Sequence, residues 1–552
     1  MLKKLKKIGA RLPEPAKTRI EKVRLGETAL QQQYRARVRR VAARRKYGHE
    51  AVLVSAGFSV QVAKRVTTFD AHSQTESTLA AVKQKLKKAK IEFLVLPPRP
   101  TRAAIIVINQ TDHLRALRCL RTFPDHWAVS ALGRARGESE ALRMMAKRRY
   151  RHGFRMSETL ASDNGQLVSG IENGIDIQFW DQINVPAPRP DGGEFEVGTL
   201  VAPLPNTWVS YVEPGIWQNA QEDAENELPL RKGHLFDVNE PIDIVYTWVN
   251  GDDPKWQKKK AQYENRLSAE DINESSYNIS RFASRDELKF SLRSVEMFAS
   301  WINHIYIVTD GQVPEWMDQS NRKITIVDHR EIFRDKSVLP VFNSHAIEAQ
   351  LHRIPGLSER YIYLNDDIFF GRRVSPDHFF YSNGISKFFL SNAVLDISTP
   401  TARDLPVMSA AKNNRLLIER EFGRTVTNKF KHTPHPQLRE INESLEEKFP
   451  SIFEAVSSSR FRHPDDYSIP SALHHYYAFG QGKAVPSNIR YFYLDLSNEI
   501  AERRLAQLLT ERSYDVFCLN DTISNSTTAA KQDELLSEFL PRYFPIKSSF
   551  EL

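Results

Sequence analysis

Cysteine is scarce in this chain: Cys119 and Cys518 are the only two among 552 residues. They lie far apart and match neither a disulfide framework nor a metal or redox spacing, so both read as ordinary reduced core thiols. No stretch approaches the roughly 18 consecutive apolar residues that a membrane-spanning helix needs. The basic opening, Met1 to Gly9, has no apolar segment behind it, which argues against a secretory signal and makes the cytoplasm the expected location. Acidic residues are missing between Tyr34 and Lys46, a basic helical stretch that makes the formal net charge of +9 uneven. Such a run is either a solvated face or a seat on anionic lipid at the inner face of the membrane. Nucleic acid is not an expected partner, because neither interleaved aromatics nor a nucleic-acid fold signature accompanies the charge.

What is present is enough apolar residue, 41% of the chain, for two to four folded cores. After the arm, residues 51–235 pattern as a small α/β region. Helical composition over 73–90 is followed by strand-like runs at 91–96 and 103–108, a basic helix at 138–151, a strand at 175–180 and a turn-rich linker at 186–193. No motif of chemistry falls there.

The informative stretch runs from Ile242 to Phe370. The β-branched and aromatic run Ile242–Val249 ends in the turn Asn250-Gly251-Asp252-Asp253-Pro254. At the far end the apolar run Tyr361–Leu364 breaks at Asn365, Asp366 and Asp367 before resuming as Ile368-Phe369-Phe370. Carboxylates set in so apolar a run are costly to bury unless they meet a cation or hydrogen-bonding groups. On an extended strand Asn365 and Asp367 share a face and Asp366 points away, unless the strand end twists. Between these ends, Ser284 with Glu287 forms a capping-box pattern, and Leu288, Leu292 and Val295 recur at helical spacing. Arg281 and Arg285 flank that helix start, a seat for a phosphate, while Arg285, Lys289 and Arg293 share another face. Strands at 304–310 and 324–328 and a helix near 343–352 complete a strand and helix alternation. The alternation predicts an α/β fold with a mostly parallel sheet whose ligands bind off the strands' carboxyl ends.

Farther on, Pro434 and Pro436 hold His432 and His435 on an extended segment ahead of a helix carrying Leu438, Ile441, Leu445 and Phe449. The run Ser459–Asp466 contains Arg462, and His474 and His475 follow on a second helix, read as structural. Asn520 and Asp521 either close a site or cap a turn.

These segments, Asp243–Trp256, Arg285–Trp316, Asn343–Phe370 and the blocks around His432, His435 and Arg462, resemble the signature regions of the Stealth family. That family comprises bacterial capsular and exopolysaccharide phosphotransferases related to the animal lysosomal-enzyme N-acetylglucosamine-1-phosphotransferase. The resemblance covers roughly the C-terminal half. It implies a Rossmann-like, nucleotide-sugar-transferase-like core at 236–400, preceded by the arm at 1–50 and the accessory region at 51–235. A helical part at 401–552 is expected to complete the active site. It further implies transfer of a sugar 1-phosphate from a UDP-sugar to a glycan hydroxyl with release of UMP. Asn365, Asp366 and Asp367, with Asp252 or Asp253 opposite, suit Mg²⁺ or Mn²⁺. His435 or His432 suits the general base, and Arg462 with Arg285 the transferred phosphate. Asp286 and Arg293 are placed near the donor by the same resemblance, and Trp248 and Trp256 either stack on the donor or pack in the core. The rival readings are a metal-dependent glycosyltransferase that releases UDP, and a non-enzymatic lipid- or nucleic-acid-binding protein resting on the basic arm.

Overall fold

The computed structural model describes residues 40–41, 43–47, 51–56, 59–98, 103–132, 140–141, 150–228, 234–264, 285–401, 403–521 and 526–552. Most of the basic arm, most of the helix expected at 138–151, the loop 271–280, Arg281 and Ser284 lie outside the described residues. The described chain forms two compact units. One takes the residues before 229 with Glu499–Ser513 and Glu538–Ile546, and the other takes His234–Asn498 with Tyr514–Ser537 and Lys547–Leu552.

In the first unit the expected α/β character is present. Ile105–Asn109 and Ile175–Gln182 pair in parallel, Leu94–Leu96 runs antiparallel to the former, and Gly153–Glu158 runs antiparallel to the latter. The helix Ala71–Lys88 begins where Asp70 accepts the N–H groups of His72 and Ser73, and it packs Val82 and Leu86 on a core with Ile106, Ile108, Ile177 and Phe179. Glu140 and Ala141 pair as strand with Val129 and Ala128, where helix was expected to begin.

The second unit carries a five-stranded sheet made of β1 (Ile242–Thr247), β2 (Ile305–Thr309), β3 (Ile324–Asp328), β4 (Arg360–Leu364) and β5 (His435–Leu438), in the order β3-β2-β1-β4-β5. The first four are mutually parallel, and β5 runs antiparallel on the edge of β4 with Tyr363 opposite His435. The mostly parallel sheet read from the strand and helix alternation is therefore the one found. Its central strands are buried along nearly their whole length, as a sheet covered on both faces requires. Successive strands run outward from β1 on one side through β2 to β3, while β4 lies on β1's other side, so the order reverses between β1 and β4. That is where open α/β sheets leave a crevice at the strands' carboxyl ends.

Three further strands, Ile368–Phe370, β6 (Tyr491–Asp495) and β7 (Val516–Asn520), make a small sheet in which Ile368 faces Cys518. Residues 401–552 are thus mixed rather than helical, because the runs Tyr491–Asp495 and Val516–Asn520 are aromatic and apolar and favour strand. The helix α1 (Glu287–Phe298) buries Leu288, Leu292 and Val295 as its spacing predicts. Two of its serines tie it to the strand after the acidic turn: Ser291 Oγ donates to Ile368 O at 2.6 Å, and Ser294 Oγ accepts the N–H of Phe370 at 3.0 Å. Ser284, one half of the expected capping box, lies outside the described residues. The N-cap is Asp286, at φ 62° in the left-handed region, and Glu287 turns its carboxylate back onto the N–H of Arg285 at 2.5 Å.

Candidate functional site

Asn365, Asp366 and Asp367 form a turn between β4 and Ile368–Phe370, closed by the Ile368 N–H on Asn365 O at 3.2 Å. The turn, rather than an extended strand, keeps the two aspartates close enough to interact. Asp366 lies within electrostatic reach of Asp367 and of Glu287 at the start of α1. Burial first, then the charges of Glu287 and Asp367, push the Asp366 carboxyl well above the usual carboxylate range. Burial likewise pushes Glu287 up to about 7, against the opposing N–H of Arg285. No described cation pairs with Asp366, and Asp367 Oδ1 is buried without a hydrogen-bond partner. Like charges held together in low dielectric are what a divalent cation relieves. Asp366, Asp367 and Glu287 are oxygen donors of the type that Mg²⁺ or Mn²⁺ takes, and the orphaned Asp367 oxygen marks a position that the protein leaves unsatisfied.

Beside this turn, β5 carries His435 against Tyr363, their rings stacked at 6.4 Å between centroids. His435 Nδ1 lies 3.2 Å from His475 Nε2, and among the described residues Nε2 of His435 makes no hydrogen bond. Burial, then the neighbouring His475 and His432, hold His435 well below the ordinary imidazole range, so it is neutral at pH 7. His474 is structural, as expected: it accepts the N–H of Leu438 at 3.3 Å, and its other nitrogen meets Asn442 Oδ1 at 2.9 Å. His432, whose side chain is one-third exposed, sits 3.3 Å from Cys518 Sγ and 3.9 Å from Asp367 Oδ2.

Arg462 donates to Ser344 Oγ at 2.9 Å and has no ion pair within reach among the described residues. Burial lowers its pKa, and the nearby charges of Glu348 and Asp466 offset part of that cost. Tyr363 OH donates to Glu348 Oε1 at 3.1 Å, which links this guanidinium's surroundings to the strand bearing the acids.

The remaining candidates are spread differently. Arg285 is held by Asp521, Gln532 and Asp533, and Arg293 by Glu551 through bonds of 2.7 and 2.6 Å. Both fasten the chain's last segments to α1. Asp286 is exposed at the helix start, with Lys289 at 3.3 Å. Asp253 accepts the N–H of Lys255 at 2.8 Å and the Gln312 side chain at 3.0 Å, while Asp252 is exposed. Trp248 is buried, and Trp256 packs edge-on against Phe342 at 5.5 Å.

Two residues of the site had been given other duties. The sequence pattern of Glu287 is that of half a capping box, and nothing in its spacing announces burial near two aspartates. Cys518, an ordinary core thiol by its sequence setting, touches Asp367 and His432, and only the pairing of β7 with Ile368–Phe370 brings it there. Cys119 does stand apart, its Sγ 3.5 Å from Lys85 O.

Four family models match this chain in order: Stealth protein CR1, conserved region 1, over 240–268; CR2 over 281–388; CR3 over 431–479; and CR4 over 506–552. Exopolysaccharide phosphotransferase SCO6023 of Streptomyces coelicolor is 36% identical across 92% of this chain and 89% of its own length. SCO2594 of the same organism, also named an exopolysaccharide phosphotransferase, is 34% identical across 91% and 88%. Exopolysaccharide phosphotransferase CpsY of Mycobacterium tuberculosis is 38% identical across 58% of this chain and 59% of its own. Among solved structures, the galactosyltransferase LgtC with donor and acceptor sugar analogs covers 54% of this chain and 95% of that one at 12% identity and a TM-score of 0.29, a likeness on which nothing is built. With four conserved regions in sequence and relatives aligned over most of its length, the chain belongs to the Stealth family.

Proposed function

We propose that this protein transfers a sugar 1-phosphate from a UDP-sugar to a hydroxyl of a glycan, releasing UMP and forming a phosphodiester. The observation that carries the reading is the crowding of the Asp366, Asp367 and Glu287 carboxyls, with one orphaned Asp367 oxygen, at the carboxyl rim of a parallel sheet. The names of the relatives supply the reaction class. Mg²⁺ or Mn²⁺, bound by Asp366, Asp367, Glu287 and Asn365, would neutralise charge on the donor diphosphate.

The chain's own side chains account for the rest. Neutral His435 takes the proton of the acceptor hydroxyl on Nε2, and His475 fixes the imidazole through Nδ1. The alcohol oxygen bonds to the phosphorus that carries the sugar, the bond from that phosphorus to the bridging oxygen breaks, and UMP leaves with the electron pair. Arg462, free of a competing carboxylate within ion-pair distance, holds the phosphoryl group in flight. Arg285 and Arg293 position the last segments around α1, and Trp248 and Asp252 line the donor's approach. No helix among the described residues is long and apolar enough to cross a membrane. In this reading the basic arm supplies peripheral contact with anionic lipid.

The experiment incubates the full chain with candidate UDP-sugars, Mg²⁺ and a glycan acceptor. Release of UMP, with a phosphodiester resonance in the ³¹P spectrum of the product, is the expected result. Release of UDP without phosphorus in the product establishes the glycosyltransferase reading instead.

A further inference from the structure

Asp367, His432 and Cys518 come from three separate stretches: the turn after β4, the segment leading into β5, and the middle of β7. Their ligand atoms all lie within 4.8 Å of one another. Cys518 Sγ is 3.3 Å from Asp367 Oδ2 and 3.3 Å from His432 Nδ1, and the latter two are 3.9 Å apart. A tetrahedral Zn²⁺, with sulfur at about 2.3 Å and nitrogen or oxygen at about 2.0–2.2 Å, sets its ligand atoms roughly 3.3–3.6 Å apart. The observed spacings bracket that range, so a cation enters with side-chain shifts of a few tenths of an ångström.

We propose that Cys518, His432 and Asp367 form a thiolate, imidazole and carboxylate site for a borderline-soft divalent cation of the Zn²⁺ or Co²⁺ type. Three features favour a ligand over a thiol that merely fills space. Asp367 spends Oδ2 on the weak S–H donor while Oδ1, also buried, has no partner. His432 keeps one-third of its side chain exposed, which leaves a way in for an ion. The donor set is of mixed softness, and thiolate with imidazole selects zinc-type ions over Mg²⁺. Without metal, burial and Asp367 keep the Cys518 thiol protonated. On binding, the S–H bond breaks, the metal–sulfur bond forms, and the proton leaves to water. The proposal needs only these three side chains and stands apart from the transfer reading, although both use Asp367. A zinc-type ion seated there is therefore expected to compete with Mg²⁺ for that carboxylate.

The test is a Co²⁺ titration of the full chain, freed of metal by chelation and carrying Cys119→Ser, since Cys119 is the only other thiol. One equivalent is expected to raise a sulfur-to-cobalt charge-transfer band in the near ultraviolet. Cys518→Ser is expected to abolish the band, and His432→Ala to weaken cobalt binding at least about tenfold. Because Cys518 is buried and its variant risks misfolding, X-ray absorption on the Zn²⁺-loaded Cys119→Ser protein gives a second measurement, with one sulfur scatterer expected near about 2.3 Å. Cobalt binding without the band, a band that survives in folded Cys518→Ser, or a zinc shell of nitrogen and oxygen alone overturns the proposal. None of those results bears on Mg²⁺-supported transfer, and an unaltered Asp367, His432 and Cys518 set is expected to give the cobalt band whether or not the protein shows transfer activity.

Discussion

At the base of β1, Asp243 is fully buried and both of its oxygens are engaged: Asn303 Nδ2 donates to one at 2.8 Å, and the N–H of Ser358 donates to the other at 2.7 Å. At the opposite end of the same sheet, Asp366 and Asp367 crowd Glu287, and one carboxylate oxygen has no partner at all. The sheet thus buries acid in two ways. One end satisfies its carboxylate and gains rigidity; the other leaves charge unanswered, which is stable only if something from outside answers it. The first unit behaves like the satisfied end. There Arg155 holds Asp176 through bonds of 2.7 and 3.1 Å, and Glu158 is shared by Gln74 at 3.0 Å and His126 at 3.1 Å. The partly buried charges at these positions are paired within the unit.

The sharpest way to break the comparison is to remove one acid from each end. Asp366→Asn or Asp367→Asn is expected to cost about 10³-fold in kcat while leaving thermal stability equal or higher, because a like-charge contact is relieved. Asp243→Ala is expected to do the reverse. Asn303 and the Ser358 N–H lose their buried acceptor, stability falls by about 1–3 kcal/mol, and kcat per folded molecule stays within about twofold. Equal losses of stability at both ends would erase the distinction.

The histidines extend the contrast over a shorter distance. His435→Gln is expected to lower kcat by about 10²–10³-fold with little change in KM. His474→Gln is expected to cost about 1–3 kcal/mol of stability through Leu438 and Asn442, with kcat changed only severalfold. A smaller effect, about 10–100-fold, is expected for Arg462→Lys, since a point charge replaces a planar fork. Wild-type kinetics in that variant would move the phosphate-holding role elsewhere.

How far the sequence could be read follows the same physics. The parallel strands, α1 and the turn at Asn365–Asp367 were legible, because apolar runs, helical spacing and polar interruptions are local signals. The identity of the charged group was only half legible. Asp366 and Asp367 announce themselves by interrupting Tyr361–Phe370, whereas Glu287 sits in an ordinary helix-start pattern and becomes part of the site only through packing of α1 on Ile368–Phe370. Cys518 is the extreme case. Its contacts depend on β7 pairing with a strand some 150 residues earlier. The acidic partners of Arg285 and Arg293 were illegible for the converse reason: they lie in the last segments, where no helical spacing could disclose them.

The smallest predicted effect tests the unanswered end without any assay of transfer. Glu287 has an ordinary carboxyl value of 4.5, and the folded protein raises it to about 7. A carboxyl raised by folding binds its proton more tightly in the native state, so its contribution to stability is full below pH 4.5 and is lost as pH rises through about 7. Asp366 is raised as well and acts with the same sign. Glu287→Gln keeps an oxygen to accept the Arg285 N–H and removes the ionisation. In chelator-treated protein it is therefore expected to match wild type near pH 4.5 and to exceed it by about 2–6 °C in Tm at pH 8. Saturating Mg²⁺ or Mn²⁺ is expected to close that gap, because a bound cation stabilises the ionised wild-type carboxylate and not the amide. A variant whose Tm follows the wild-type pH profile, with and without metal, would show that Glu287 belongs with Asp243 among the satisfied acids.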